Sequence, residues 1–291
     1  TELRKILGDR KELTKLVVKE ITEDAKKFGD DRRTLIEAEI ATAPAEVVIP
    51  DEPVTVIVSQ NGWVRARQGH GIAPDSISYK AGDFPFLIAE SRTVWPLVIL
   101  DTKGRAYSVR VADLPGGRGD GVPLATLIEF QEGGKLAQAL TDAPEAQYLF
   151  AGTGGYGFIA SIADLISRQR AGKAFLTLDP GEKPITPAKA DGGNTLAAIS
   201  QTGRLLLFPL AEMKVMAKGR GLMILDLAPK DELTAIAIND GKTLIVSGTG
   251  RGGKATQWKA SGADLAAYLS RRARKGHVIP AKLKPSGMEG R

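Results

Sequence analysis

The tripeptide Ala-Asp-Leu occurs at Ala112-Asp113-Leu114, Ala163-Asp164-Leu165 and Ala263-Asp264-Leu265, and a fourth copy reads Ala211-Glu212-Met213. The intervals are 51, 48 and 52 residues. Self-similarity at that period marks an array or propeller of supersecondary units, because one unit cannot bury its apolar face alone and must stack on a neighbour. Any short motif inside one copy therefore has to be explained by the repeat first.

Each copy has an apolar run, a polar turn ending in glycine, and a second apolar run that reaches the Ala-Asp-Leu. Leu97-Val98-Ile99-Leu100 turns at Asp101 to Gly104 into Arg105-Ala106-Tyr107. Tyr148-Leu149-Phe150-Ala151 turns through Gly155 into Phe158-Ile159, and Leu196 to Ile199 turns through Gly203 into Leu205 to Phe208. In these three copies the glycine stands eight residues before the alanine. Such runs read as β-hairpins, since glycine accepts the positive φ that tight turns require. Val54 to Ser59, Gln60-Asn61-Gly62 and Trp63-Val64-Arg65 form a further hairpin, and Leu244 to Ser247 with glycines through Gly253 begins the last. The expectation is a mainly β fold of five repeats.

Composition agrees. Thirty-three glycines and 16 prolines in 291 residues favour a turn-rich β body, and 43% apolar residues suffice for a core. Cysteine is absent, which excludes disulfides and thiolate metal sites, and the two histidines, His70 and His277, are too far apart in sequence to suggest a zinc site. No apolar run approaches a membrane span and no signal peptide opens the chain, so a cytoplasmic protein without membrane contact is expected.

The ends differ from the middle. Leu13, Leu16, Val17, Ile21, Ala25 and Phe28 recur at helical spacing, with Asp9 and Glu12 placed for a capping box and Gly29 for a stop. That helix either packs on its own domain or is the end of a longer coiled coil. The boundaries read as a helical segment over 1–39, a linker over 40–53, the β body over 54–285 and a disordered tail over 286–291. The net charge of +6 is concentrated: residues 271–291 carry seven basic groups and one acidic group, whereas residues 1–39 carry ten of each.

A glycine-basic segment follows each Ala-Asp-Leu: Gly116-Gly117-Arg118-Gly119, Arg168 to Lys173, Lys218-Gly219-Arg220-Gly221, and Arg271 to Gly276. Tyr79-Lys80-Ala81-Gly82 holds the comparable place in the first repeat. One such loop is an ordinary solvated turn, but five at one structural position would place basic loops around one rim. Glycine allows close backbone approach to a phosphate, and arginine adds bidentate contacts. With no aromatic ladder and no recognition helix, the pattern fits duplex backbone contact without base readout, the DNA bent along a curved basic edge. Candidate contact residues are Arg65, Arg67, Lys80, Arg105, Arg118, Arg168, Arg170, Lys173, Arg204, Lys218, Arg220, Arg251, Lys254, Arg271, Arg272, Arg274 and Lys275.

Two phosphate-binding lookalikes fall to the repeat. Gly152-Thr153-Gly154-Gly155-Tyr156-Gly157 has dinucleotide-loop spacing but leads into strand-like Phe158 to Ile162, leaving no helix N-terminus for a pyrophosphate. Gly248 to Lys254 resembles a P-loop, yet Ala255 stands where a magnesium-binding hydroxyl belongs. No paired catalytic groups stand out, so no catalytic residue and no metal site is assigned.

Several segments carry a family resemblance. Glu2 to Leu7 and Phe28 to Ile36 resemble the end of the breakage-reunion coiled coil in the A subunit of bacterial type IIA topoisomerases. Gly62-Trp63-Val64-Arg65, Tyr79 to Asp83, Gly155 to Phe158 and Arg170 to Ala174 resemble the C-terminal domain of the A subunit of topoisomerase IV. The likeness is weaker over the last forty or so residues. It implies a five-bladed β-pinwheel, a propeller-like disc whose blades exchange strands, with DNA on its basic rim. It further implies an ATP-dependent strand-passing enzyme that decatenates and relaxes chromosomal DNA, with the B subunit and a homodimer of the A subunit as partners. ATP and Mg2+ would be bound elsewhere, and the catalytic tyrosine would lie upstream, since Tyr79, Tyr107, Tyr148, Tyr156 and Tyr268 fall outside its motif. Gyrase, the sister enzyme, carries a Gln-Arg-Arg-Gly-Gly-Lys-Gly box, of which Gln169-Arg170-Ala171-Gly172-Lys173 is only a degenerate form and Arg251-Gly252-Gly253-Lys254 a misplaced fragment. The A subunit of gyrase is thus the nearer alternative, and a propeller scaffold for protein partners the alternative from another class.

Overall fold

A computed structural model describes residues 2–30, 49–117, 119–191 and 193–290, which fall into two compact units, residues 1–47 and 48–291. The first contains α1 (Glu2–Gly8) and α2 (Arg10–Phe28). Asp9 caps α2 by accepting from the Lys11 N–H at 2.9 Å. Glu12 does not complete the expected capping box; it pairs with Lys15 one turn on, at 3.1 Å. Gly29 ends the helix as expected, but by an extended exit at φ −71° rather than a left-handed cap. Leu13, Val17, Ile21 and Phe28 form the expected stripe, between 41 and 73% exposed. The expected helical span beyond residue 30 and most of the expected linker lie outside the described residues.

The second unit contains β1 (Pro53–Ser59), β2 (Trp63–Gln68), β3 (Pro85–Arg92), β4 (Pro96–Asp101), β5 (Arg105–Arg110), β6 (Val122–Pro123), α3 (Leu124–Leu127), β7 (Leu136–Thr141), β8 (Gln147–Ala151), β9 (Tyr156–Ser161), β10 (Lys173–Ala174), β11 (Ala188–Lys189), β12 (Thr195–Ser200), β13 (Arg204–Pro209), β14 (Leu222–Met223), β15 (Leu233–Asn239), β16 (Thr243–Thr249), β17 (Ala255–Ser261), α4 (Ala263–Ala266), β18 (His277–Val278) and β19 (Lys284–Gly290). They make five blades: β3-β1-β2-β6, β7-β4-β5-β10, β11-β8-β9-β14, β15-β12-β13-β18 and the three-stranded β19-β16-β17. The expected hairpins are all present. Gly62, Gly104, Gly155 and Gly203 turn the first four with φ between 78 and 81°.

Four apolar clusters form the core, each shared by two neighbouring blades. In β4, Leu97 and Ile99 face blade one while Val98 and Leu100 face blade three. Strands covered on both faces lose the polar alternation of a surface strand, so β4 and β12 read as continuous apolar runs. Full burial of such a side chain contributes roughly 1.5–3 kcal/mol relative to exposure.

The Ala-Asp-Leu motif ends the second strand of a blade. It forms tight helical turns at Val111–Asp113, Ile162–Leu165, Leu210–Glu212 and α4. Its third residue enters the core, with Leu114, Leu165, Met213 and Leu265 all under 10% exposed. In two copies its acid holds the turn: Asp164 closes a capping box with Ser161, and Asp113 pairs with Arg110 at 2.8 Å. The repeat that betrayed the architecture is a folding device.

Past that turn the chain crosses back to the preceding blade. β6 follows blade two's hairpin in sequence but pairs with β2 of blade one, and β10, β14 and β18 repeat the move on β5, β9 and β13. These two-residue strands latch each blade to the next. The expected disordered tail is a correction: residues 286–290 belong to β19, which pairs with β16 from Thr249↔Lys284 to Leu244↔Gly290. Lys-Pro-Ser-Gly-Met-Glu-Gly has no apolar periodicity, and its order comes from the sheet ladder, with Pro285 buried and Met288 packed on the core.

Candidate nucleic-acid interface

The glycine-basic segments are the loops that lead into the latch strands. Gly121, Gly172, Gly221 and Gly276 immediately precede β6, β10, β14 and β18, with φ of 87, 62, 82 and 65°. A Cβ on any of them would lie 2.0–2.6 Å from the carbonyl oxygen of Val64, Ala106, Gly157 or Leu205, the second residue of the acceptor strand. Backbone exchange therefore requires glycine there on both counts, conformation and space. These glycines were expected to admit a phosphate; what they admit is the neighbouring blade.

Successive loops are bonded to one another. Glu129 N–H donates to Arg170 O at 2.8 Å; Thr177 N–H and Gly219 N–H exchange bonds with Gly219 O and Phe175 O at 2.9 and 2.8 Å. Ala273 N–H and Asp226 N–H then join the third loop to the fourth at 3.1 Å each. The result is a belt along the latch edge of the blades.

Arginines fasten this belt, which changes the reading of six candidates. Arg65 is 4% exposed, donates to Gly119 O and Ser78 O, and stands 6.0 Å from the Tyr79 ring. It belongs to the interior, not to the rim. Arg105 donates to Ala171 O at 2.7 Å and Gly172 O at 2.9 Å, and Arg204 reaches Gly276 O at 3.4 Å. Arg170 donates to Thr126 O at 2.6 Å and Arg272 to Met223 O at 2.7 Å. Arg220 lies 4.1 Å over the Tyr156 ring and pairs with Asp179 at 2.6 Å and Glu182 at 3.5 Å. Carbonyls left exposed by the short latches need donors, and a guanidinium supplies several in one plane.

The remaining candidates divide by place. Arg168, Lys218, Arg271, Arg274 and Lys275 are exposed on the belt, with half-buried Lys173 beside them. Among the described residues none of these six side chains has an ion pair or hydrogen bond. Arg67 is half-buried against Gly117. Arg251 and Lys254 sit in the β16–β17 hairpin turn and not in a latch loop, and Arg118 lies outside the described residues. Lys80 caps the Trp63 ring at 3.3 Å, but its loop is a second correction. Residues 69–84 do not cross to another blade, since among the described residues none precedes blade one; they fold over β1 and β2. Asp83 pins them, accepting from Asn61 N–H at 3.0 Å and Phe84 N–H at 2.9 Å. Burial would raise the Asp83 carboxyl, but bonds from Ser59, Asn61, Phe84 and Gln60 outweigh it and hold it below the usual carboxylate range.

Both lookalikes are hairpin turns. Gly152–Gly157 joins β8 to β9, and Gly248–Lys254 joins β16 to β17, so neither opens a helix. Sequence reasoning missed the partners of two cations: Trp63 for Lys80, and Tyr156 with the acids Asp179 and Glu182 for Arg220. A signal was present. The first residue of the second strand is Trp63, Arg105, Tyr156 and Arg204 in blades one to four, each held against a latch or loop, but Ala255 in blade five.

Residues 194–240 match the family model of the DNA gyrase C-terminal domain, a β-propeller. The A subunit of DNA topoisomerase 4 from Neisseria gonorrhoeae is 39% identical over 285 residues, 94% of this chain and 36% of its own. That of Escherichia coli K12 is 37% identical over 229 residues, 78% of this chain and 30% of its own. The structure of the Escherichia coli ParC C-terminal domain superposes with a TM-score of 0.73 at 30% identity, covering 82% of this chain and 98% of that one. The chain belongs to the family of C-terminal domains of the topoisomerase IV A subunit. It spans about a third of the length of the topoisomerase IV relatives it matches. The five-bladed pinwheel, expected from the resemblance, is the fold this family member adopts.

Proposed function

We propose that this domain binds duplex DNA along its latch belt and serves a topoisomerase IV holoenzyme that decatenates and relaxes DNA at the bacterial chromosome. The observation that carries this reading is the set of unpaired cations, Arg168, Lys218, Arg271, Arg274 and Lys275, in the three latch loops that follow the hairpins of blades three, four and five. Fixed on a bonded belt, they suit phosphates spaced along a curved duplex, while the belt offers no helix to a groove and no aromatic ladder to a single strand. Membership of the topoisomerase IV family supports the enzyme reading.

Strand passage is assigned to the whole enzyme: the B subunit and a homodimer of the A subunit are the proposed partners, and ATP and Mg2+ are proposed to bind outside this chain. The tyrosines here suit packing. Tyr107 and Tyr268 are buried, the Tyr148 hydroxyl bonds Asp142 at 2.7 Å, and Tyr156 lies under Arg220. The fragment alone is therefore expected to bind DNA without cleaving it.

Duplex affinity across salt concentrations tests the proposal. Each phosphate contact steepens the log–log fall by about 0.9. Several contacts predict a steep fall; a flat response would remove DNA from the account. Introduction of negative supercoils by the reconstituted holoenzyme would favour a gyrase instead.

A further inference from the structure

Latching runs in one direction: the loop after each second strand is passed to the blade before. Blade five receives none. β17 pairs with β16 on one side, and among the described residues no strand pairs with the other. The bridges that the incoming loop makes to Ala66, Ile159 and Leu207, the fourth residue of β2, β9 and β13, also have no counterpart at Trp258.

We propose that the outer edge of β17, from Ala255 to Trp258, is a docking site for an extended acidic segment of a partner protein that carries glycine followed by two strand residues. The occupied edges supply the template. In all four, the latch pairs antiparallel with the first two residues of the acceptor strand, and a positive-φ glycine lies against the carbonyl of the second. On β17 those two residues are Ala255 and Thr256. Ala255 places no arginine or aromatic ring where Arg105, Tyr156 and Arg204 hold a latch loop in blades two to four, so the edge is open. Unpaired edge groups are a template for strand addition.

Charge selects the occupant. Arg251, Lys254 and Lys259 flank the edge, are exposed, and have no ion pair among the described residues. Pairing β17 with β17 of a second copy would bring these like charges together, which opposes a homodimer through this edge. An acidic segment meets them favourably.

The probe is a synthetic hexapeptide copying Gly119–Leu124, the chain's own acidic latch, Gly-Asp-Gly-Val-Pro-Leu. At millimolar peptide, hydrogen exchange should slow at the amides of 255–258. Replacing the second glycine of the peptide (Gly121→Ala) should weaken binding roughly tenfold, since alanine resists that φ. Lys254→Glu with Lys259→Glu in the intact chain, both on exposed side chains and so compatible with folding, should weaken it by a similar factor, roughly tenfold. No protection at 255–258, or equal binding of the alanine peptide, overturns the proposal. So does protection of these amides by self-association of the free chain or by duplex DNA, either of which names a different occupant.

Discussion

Blades one and five are the two ends of the same array, and they end differently. Blade one is latched by β6 and covered by its own loop, residues 69–84, which among the described residues has no preceding blade to enter. Ile57, Ser59 and Arg65 are buried beneath it at 2, 2 and 4% exposure. Among the described residues blade five has neither latch nor cover. Its strands alternate, Leu244 and Val246 inward while Ile245 and Ser247 stay half-exposed. Directional exchange explains both ends: it leaves a spare loop at the start and a spare edge at the finish. Solenoids usually need capping repeats; here one end supplies its own cap from the displaced loop.

The largest expected effect tests whether latching is what separates the blades. Gly221→Ala forces a residue with Cβ into positive φ and against the Gly157 oxygen at 2.0 Å, and should destabilise by about 2–4 kcal/mol through strain and broken latch bonds. Gly252→Ala in the blade-five turn has the same sign of φ but open space, so about 1–2 kcal/mol is expected. Equal effects in denaturant titrations would break the comparison. Next comes Arg105→Ala, which removes the donor to Ala171 O and Gly172 O. Allowing for solvent access to a half-buried guanidinium, about 1–2 kcal/mol is expected. Ala255→Arg in blade five, with no latch to hold, should change stability by less than about 0.5 kcal/mol.

The smallest effect concerns the cap of blade one. The Asp83 carboxyl titrates below its unfolded value, so its contribution is complete above the ordinary carboxylate range and is lost as pH falls through the depressed pKa. The stability gap between the wild type and Asp83→Asn should therefore close in acid. A gap unchanged by pH would show that the ionised carboxylate does not pin the loop.

The blade count, the hairpin turns and the two hairpin strands of each blade were legible because glycine turns and apolar runs repeat in register. Strand exchange was not. A two-residue latch such as Lys173–Ala174 has no periodicity, and nothing local says that it pairs with Arg105 and Ala106 about seventy residues earlier. The same blindness hid the roles of Arg65, Arg105, Arg170, Arg204, Arg220 and Arg272. A basic residue beside glycine looks alike in sequence whether its guanidinium meets a phosphate or a main-chain carbonyl. The β19 tail was missed because backbone pairing, not side-chain pattern, orders it.

The division of the cations into two kinds is the most direct thing to measure. Arg168→Ala, Lys218→Ala and Arg274→Ala together should leave the thermal midpoint nearly unchanged and reduce the slope of log affinity against log salt by about 0.9 for each phosphate no longer neutralised. Arg105→Ala should do the reverse, lowering the midpoint while the slope of the folded protein holds. A triple variant that binds duplex DNA with the wild-type slope would contradict the assignment of the belt as the DNA track.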